Sequence, residues 1–269
     1  MRNLRFVIRY DGTGFAGWQT QPGQRTVQDV FEAAVRAITR QERVRANVSG
    51  RTDAGVHAVG QVVNLYSPTA IPADALAKAV NSQLPPDVCV RRCDDVPQSF
   101  CANKDAAGKT YRYVICDGRP HDPFLGRYAW HNRQPLDADA MSEGATGLLG
   151  RHDFRCFETD WPNRLTSVRT ITRCDVRRSG EYVTLDVSAD GFLYNMVRAI
   201  AGTLVQVGRG AWPPDRVREV VAARDRKLAG PTAPAHGLFK LRVDYPDPWV
   251  LPGDEPAWLF PRDPGERPA

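Results

Sequence analysis

The sequence predicts an α+β protein built as two similar halves, each an antiparallel sheet with helices on one face. Three observations predict it. Stretches that alternate apolar and polar residues are interleaved with stretches of helical period. Strand–helix–strand material occurs on both sides of residue 105, though no close sequence repeat accompanies it. A chain of 269 residues with 42% apolar content suffices for one large or two moderate units with a real core.

The elements follow in order. Leu4, Phe6, Ile8 and Tyr10 alternate with Arg5, Val7 and Arg9, the pattern of a half-buried strand. Residues 11–17 are Gly-rich and read as a loop; without a Walker lysine they make no nucleotide site. Thr26 with Asp29 three residues on is a capping signal, and Val27, Val30, Phe31, Ala34 and Ile38 then recur at helical spacing. A strand is expected over 59–66 and a helix over 73–82, stopped by Pro85-Pro86. Residues 104–109 cross between the halves. The second half opens with a strand over 110–116, Tyr111, Tyr113 and Ile115 on one side. A loop over 117–135, a helix over 137–149 and an aperiodic arm over 151–166 come next. Strands near 171–177 and 181–188 precede a helix over 193–207, with Met196, Val197, Ile200 and Leu204 inward and Gly208 as its stop. A helix over 215–223, a strand over 238–245 and an extended Pro-rich tail complete the chain. The halves are therefore set at 1–105 and 106–269.

Composition narrows the chemistry. The formal charge of +5 favours a polyanionic partner. No apolar run has the length of a signal peptide or a membrane span, so a cytoplasmic protein with no membrane partner is expected. The six cysteines, Cys89, Cys93, Cys101, Cys116, Cys156 and Cys174, form no CxxC, and the histidines have no zinc-finger spacing. All six read as small packing residues and no metal is expected.

The densest chemistry lies in Gly50-Arg51-Thr52-Asp53-Ala54-Gly55-Val56-His57-Ala58. Glycines bracket Asp53 as a tight turn requires. Arg51 stands two residues before it, where a cation lowers a carboxylate pKa below its usual value of about 3.9. Spacing alone also fits a polar surface turn with a weak ion pair.

This stretch resembles the signature loop of the TruA family of tRNA pseudouridine synthases. Tyr10-Asp11-Gly12-Thr13-Gly14-Phe15-Ala16-Gly17-Trp18-Gln19 resembles the family's first motif. Further matches run in order: Thr26-Val27-Gln28, Lys109-Thr110-Tyr111-Arg112-Tyr113, His152-Asp153-Phe154, Arg169-Thr170-Ile171, Gly191-Phe192-Leu193, Met196-Val197-Arg198 and Ala233-Pro234-Ala235-His236-Gly237-Leu238.

The resemblance implies the pseudouridine synthase fold, in which the two sheets join across a central active-site cleft. It implies an isomerase that needs no cofactor, nucleotide or metal. The expected reaction turns uridine into pseudouridine at positions 38, 39 and 40, in the anticodon stem-loop of tRNA. Asp53 matches the family's catalytic aspartate. Arg51 matches a residue that helps displace the target nucleotide, Arg198 the cation that pairs with the carboxylate, Tyr111 an aromatic that stacks on the uracil, and Leu238 an apolar wall beneath the base. A homodimer presenting one surface to tRNA is implied as well. The arginines Arg151, Arg155, Arg164, Arg169, Arg173, Arg177 and Arg178 are the candidates for gripping phosphates in the second half. His57 and His236 are not assigned acid–base roles.

Two positions depart from the pattern. Phe100-Cys101-Ala102-Asn103 stands where the family has Phe-His-Ala-Arg, and Lys240 where an apolar residue is usual. A non-catalytic RNA-binding or RNA-folding protein on the same scaffold is the alternative, and a folding module would require neither Asp53 nor Arg198.

Overall fold

The structure, a computed structural model, describes residues 1–118, 123–159 and 166–250. Its elements are β1 (Arg2–Tyr10), α1 (Val27–Thr39), β2 (Asn47–Val48), β3 (His57–Ser67), α2 (Ala73–Asn81), β4 (Val88–Val96), β5 (Gly108–Cys116), β6 (Trp130–His131), α3 (Ala138–Ala145), β7 (Gly150–Asp153), β8 (Val168–Ser179), β9 (Tyr182–Ala189), α4 (Met196–Gly208), α5 (Arg216–Ala223) and β10 (Leu238–Asp244). By its contacts the chain divides into two units, Met1–Ala107 together with the residues from Lys240, and Gly108–Phe239. The sequence-based division carries everything after residue 105 into the second half, whereas β10 from Lys240 onward groups with the first unit.

In the first unit the strand order is β4-β1-β3-β10, with β2 beside β3. β1 pairs antiparallel with both β3 and β4. Leu4, Phe6, Ile8 and Tyr10 enter a core with Phe31 and Val35 of α1 and Leu76 and Val80 of α2. Thr26 caps α1, accepting the Asp29 N–H on its side chain as the capping signal predicts. The other face of β1 is less open than its alternation suggests. Asn3 and Arg5 are also buried. Val62, Phe100, Ala102, Val243 and Tyr245 form a second apolar cluster there, with Val7 packed against it.

In the second unit the order is β5-β9-β8-β7, and β6 runs parallel to β5. α4 is buried on nearly every side, which fits its all-round apolar sequence. A Cβ at Gly202 would come within 1.7 Å of Pro231 O, so this glycine lets the returning chain lie on the helix. α4 begins at Met196 rather than at 193, because Asn195 takes a left-handed conformation (φ 62°) at its start. Part of the expected arm is a strand: β7 pairs antiparallel with β8. Residues 160–165, the rest of that arm with Arg164, lie outside the described residues.

Candidate active site

The Asp53 loop joins β2 to β3 and is pinned on both sides of the aspartate. Thr52 is buried; its carbonyl accepts the Trp18 N–H at 3.0 Å and its hydroxyl meets the Tyr10 hydroxyl at 2.7 Å. Beyond Asp53, the Gly55 N–H donates to Phe15 O at 3.3 Å and the Val56 N–H returns to Asp53 O at 3.1 Å. Gly17, in the loop that lies against it, has φ +94°, and a Cβ there would come within 2.7 Å of Thr52 O. Asp53 itself is half-buried, on backbone that these bonds hold in place.

Tyr10 lies beneath this turn. Burial pushes its phenol well above the ordinary range, against the pull of its hydrogen bonds to Thr52 and Gln61, and the charge of Asp53 pushes the same way. Tyr10 therefore stays protonated and serves as a hydrogen-bonding strut. His57 is buried; its Nδ1 accepts the Gly12 N–H at 3.0 Å and lies 3.1 Å from Asp11 Oδ1. It ties the 12–14 turn to the end of the Asp53 loop.

Arg51 is exposed and makes no hydrogen bond or ion pair among the described residues. The expected local ion pair with Asp53 is thus not formed. A guanidinium left in solvent remains available to a phosphate or a displaced base.

Lys240, noted above only as a departure, lies directly under the loop. It is fully buried, and its Nζ donates to Ser49 Oγ, Gly50 O and Gln61 Oε1 at 3.1, 3.0 and 2.6 Å.

The second unit carries the other three expected residues. Arg198, in the first turn of α4, is half-buried; its Nε donates to Ala233 O and its Nη1 to Asn195 Oδ1, each at 2.7 Å. The backbone returns the contact, Ala233 N–H donating to Arg198 O at 3.1 Å. The segment that clasps Arg198 continues through a tight turn, Ala235–Gly237, to the buried Leu238. Tyr113 supports this turn: its hydroxyl donates to Pro234 O at 2.7 Å, and a Cβ at Gly237 would strike its ring. Burial raises the Tyr113 phenol, while the charge of Arg198 opposes the rise. Burial also holds the His236 imidazole below its ordinary value, and Arg198 adds to the depression. His236 is therefore neutral near pH 7. Tyr111, two residues before Tyr113 on the same side of β5, is buried and meets Phe192 edge-on at 4.9 Å.

The arginines expected to grip phosphate are largely engaged within the protein. Arg155 pairs with Asp153 at 2.6 Å, Arg173 with Asp175 at 2.6 Å, and Arg178 with Asp117 at 2.6 Å. Burial works to raise the Asp117 carboxyl, but Arg178 and the Leu136 N–H outweigh it and hold it below the usual carboxylate range. Arg151 is exposed on β7. Asp153 and Asp175 stand two residues from their arginines in the sequence, whereas Asp117 reaches Arg178 from 61 residues away. Among the cysteines, Cys89 is exposed and does not pack as expected, because it projects outward from edge strand β4. Among the described residues no three His, Cys, Asp or Glu side chains gather as metal ligands. No helix among them is long and apolar enough to cross a membrane.

The sequence profile described as tRNA pseudouridine synthase matches residues 6–113 and 145–246. The chain belongs to that family. The matched stretches contain Arg51, Asp53 and Tyr111, then Arg198, Leu238 and Lys240. Among its relatives, the tRNA pseudouridine synthase A of Brevibacillus brevis is 45% identical over 245 residues, covering 91% of this chain and 100% of the relative. That of Acetivibrio thermocellus is 41% identical over 245 residues, with the same coverage. A solved structure of a Cbf5-Nop10-Gar1 complex is a far more distant likeness, at 13% identity and a TM-score of 0.35, over 88% of this chain and 57% of that one. The sequence singles out neither Gln61 nor Asn195, and it marks Tyr10 only as an inward residue of the first strand. Tyr10 lay inside a matching motif, yet nothing local marks a strand tyrosine as the strut of a loop some forty residues away.

Proposed function

We propose that the chain converts uridine to pseudouridine in tRNA, with Asp53 as the nucleophile, at positions 38, 39 and 40 of the anticodon stem-loop. The supporting observation is the Asp53 turn: a half-buried carboxylate on backbone held from both sides, in a chain of the synthase family. The reaction is an isomerisation. The N1–C1′ bond breaks, the base turns, C5 bonds to C1′, and the C5 proton leaves while N1 gains one. A carboxylate that attacks C1′ or C6, or that assists departure of the base through a glycal, completes this with no net change in redox state.

In this reading Arg51 helps displace the nucleotide, Tyr111 stacks on its uracil, Leu238 walls the base and Arg198 faces the carboxylate. The target base leaves its stack at a cost of a few kcal/mol, which contacts to the RNA backbone offset. The acting species is a homodimer in the cytoplasm. The non-catalytic reading is not favoured, since the relatives carry the name of an enzyme.

The test is tritium release from tRNA labelled at uridine C5, run on transcripts that keep a single target uridine each. Asp53→Asn should bind tRNA as the wild type does and release tritium at least about a thousandfold more slowly. Release at the wild-type rate would remove Asp53 from the mechanism. Release from transcripts lacking uridine at 38–40 would remove the position assignment.

A further inference from the structure

Burying an ammonium costs several kcal/mol even after relaxation. β10 nonetheless carries Lys240 to a position with no exposed surface. An ammonium has three N–H groups to place. Here they go to Ser49 Oγ at 3.1 Å, Gly50 O at 3.0 Å and Gln61 Oε1 at 2.6 Å. Ser49 and Gly50 are the two residues that lead into Arg51-Thr52-Asp53.

The contacts continue beyond the lysine. Ser49 Oγ donates to Gln61 Oε1 at 2.9 Å, and Gln61 Nε2 donates to Gly50 O at 2.9 Å and to the Tyr10 hydroxyl at 3.3 Å. The Tyr10 hydroxyl meets Thr52 Oγ1 at 2.7 Å. A buried polar chain thus runs from the ammonium to the residue adjoining Asp53. Gln61 Oε1 accepts from two donors and Gly50 O from two, so their lone pairs are committed and the amide cannot turn over without breaking bonds. A neutral donor would satisfy Gly50 O more cheaply. What the lysine adds is charge, and a charge acts more strongly in the interior than in water.

We infer that Lys240 is a positioning residue for Asp53: it locks the entry of the catalytic turn and supplies that turn with a buried positive charge. This rests on the reading of Asp53 as the nucleophile. The other titratable groups around the turn are Tyr10 from β1, Arg51 on the turn itself, and His57 with Asp11 behind it. Tyr10 stays protonated and Arg51 points into solvent, so within this unit neither supplies what Lys240 supplies.

The experiment follows single-turnover tritium release against pH in three variants. Lys240→Met fills the same space without charge. It should lower the rate at pH 7 about tenfold through loosened positioning and move the acid limb up by about one pH unit, with tRNA affinity within twofold of wild type. Gln61→Glu keeps the lysine and sets a carboxylate against it; its acid limb should move in the same direction. Lys240→Arg keeps the charge and should keep the limb of the wild type. An unchanged limb in both Lys240→Met and Gln61→Glu overturns the inference, even if melting temperature falls, because a purely structural lysine would affect stability alone. If Lys240→Met does not fold, Gln61→Glu decides. Asp53→Asn runs beside them. An active Asp53→Asn breaks the reading of the nucleophile, whereas an inactive one beside unshifted limbs breaks only the role of Lys240.

Discussion

The Asp53 turn and the start of α4 are both held tightly, but their charged groups stand at different distances from the main chain that is held. Around Asp53 the hydrogen bonds fall on the main chain and on the neighbours: Trp18 N–H on Thr52 O, Gly55 N–H on Phe15 O, Tyr10 on the Thr52 hydroxyl. Around Arg198 they reach the side chain as well as the main chain, from Nε to Ala233 O and from Nη1 to Asn195 Oδ1, with Ala233 N–H on Arg198 O. The contrast follows from side-chain length. An aspartate has one carbon between Cα and its carboxylate, so fixing the backbone places the charge. An arginine loses on the order of 2 kcal/mol of rotamer entropy when ordered, and fixing its Cα would leave the guanidinium free over several ångströms. The short group is set by the loop, the long one by acceptors near its tip.

The severest way to break the first arrangement is to move the backbone. Gly17 sits at φ +94° with its missing Cβ 2.7 Å from Thr52 O. Gly17→Ala combines an unfavourable backbone angle with a collision against main chain, and each contributes roughly 1–3 kcal/mol. A loss of about 3 kcal/mol in urea-unfolding stability is expected, together with a large fall in turnover. Wild-type turnover in a folded Gly17→Ala protein would show that the turn tolerates displacement and that backbone placement is not what orients Asp53.

The second arrangement is tested at its tip. Arg198→Met keeps most of the aliphatic stem and removes the guanidinium, so the fold should persist while turnover falls on the order of a hundredfold. Arg198→Lys should recover little of it. A single ammonium lacks the planar fork that reaches Ala233 O and Asn195 Oδ1 together. Full recovery by lysine would mean that charge alone matters and that the clasp is incidental.

Much of the frame was legible in the sequence because local rules and tertiary packing agree there. The Thr26 cap, the alternation in β1 and the apolar face of α1 each follow from spacing within ten residues or so. β4 was not legible. Val88 and Val90 point inward, but a register shift opposite Val7 and Ile8 falls at Arg91, and after it the inward residue is Cys93. That irregularity breaks the period of two, and Arg91, Arg92, Asp94 and Asp95 make the segment look like a loop. The grouping of β10 with the first unit was hidden too, since neighbours in a sheet are chosen by topology and not by adjacent residues. At the candidate site the motif residues could be read and their supports could not. Asp53 is marked by its own neighbours, whereas Lys240 acquires meaning only from Ser49, Gly50 and Gln61, some 180 to 190 residues earlier.

The mildest change sharpens the comparison most. Tyr10→Phe keeps the ring, its core packing and its tilted contact with Trp18 at 6.2 Å, and removes one oxygen. The Thr52 hydroxyl and Gln61 Nε2 each lose a partner, while every main-chain bond of the turn survives. Removing a buried hydrogen-bonding group costs about 1–1.5 kcal/mol, and the Gly50 contact keeps Gln61 partly satisfied. If the main chain alone sets Asp53, turnover should drop no more than about twofold as stability falls by that amount. If the side-chain relay beneath the turn shares the task, turnover should fall further, about fivefold to tenfold, with tRNA affinity unchanged. Combining Tyr10→Phe with Lys240→Met then separates the two supports. Residues on one relay should give a double-variant loss smaller than the product of the single losses, whereas independent supports should multiply.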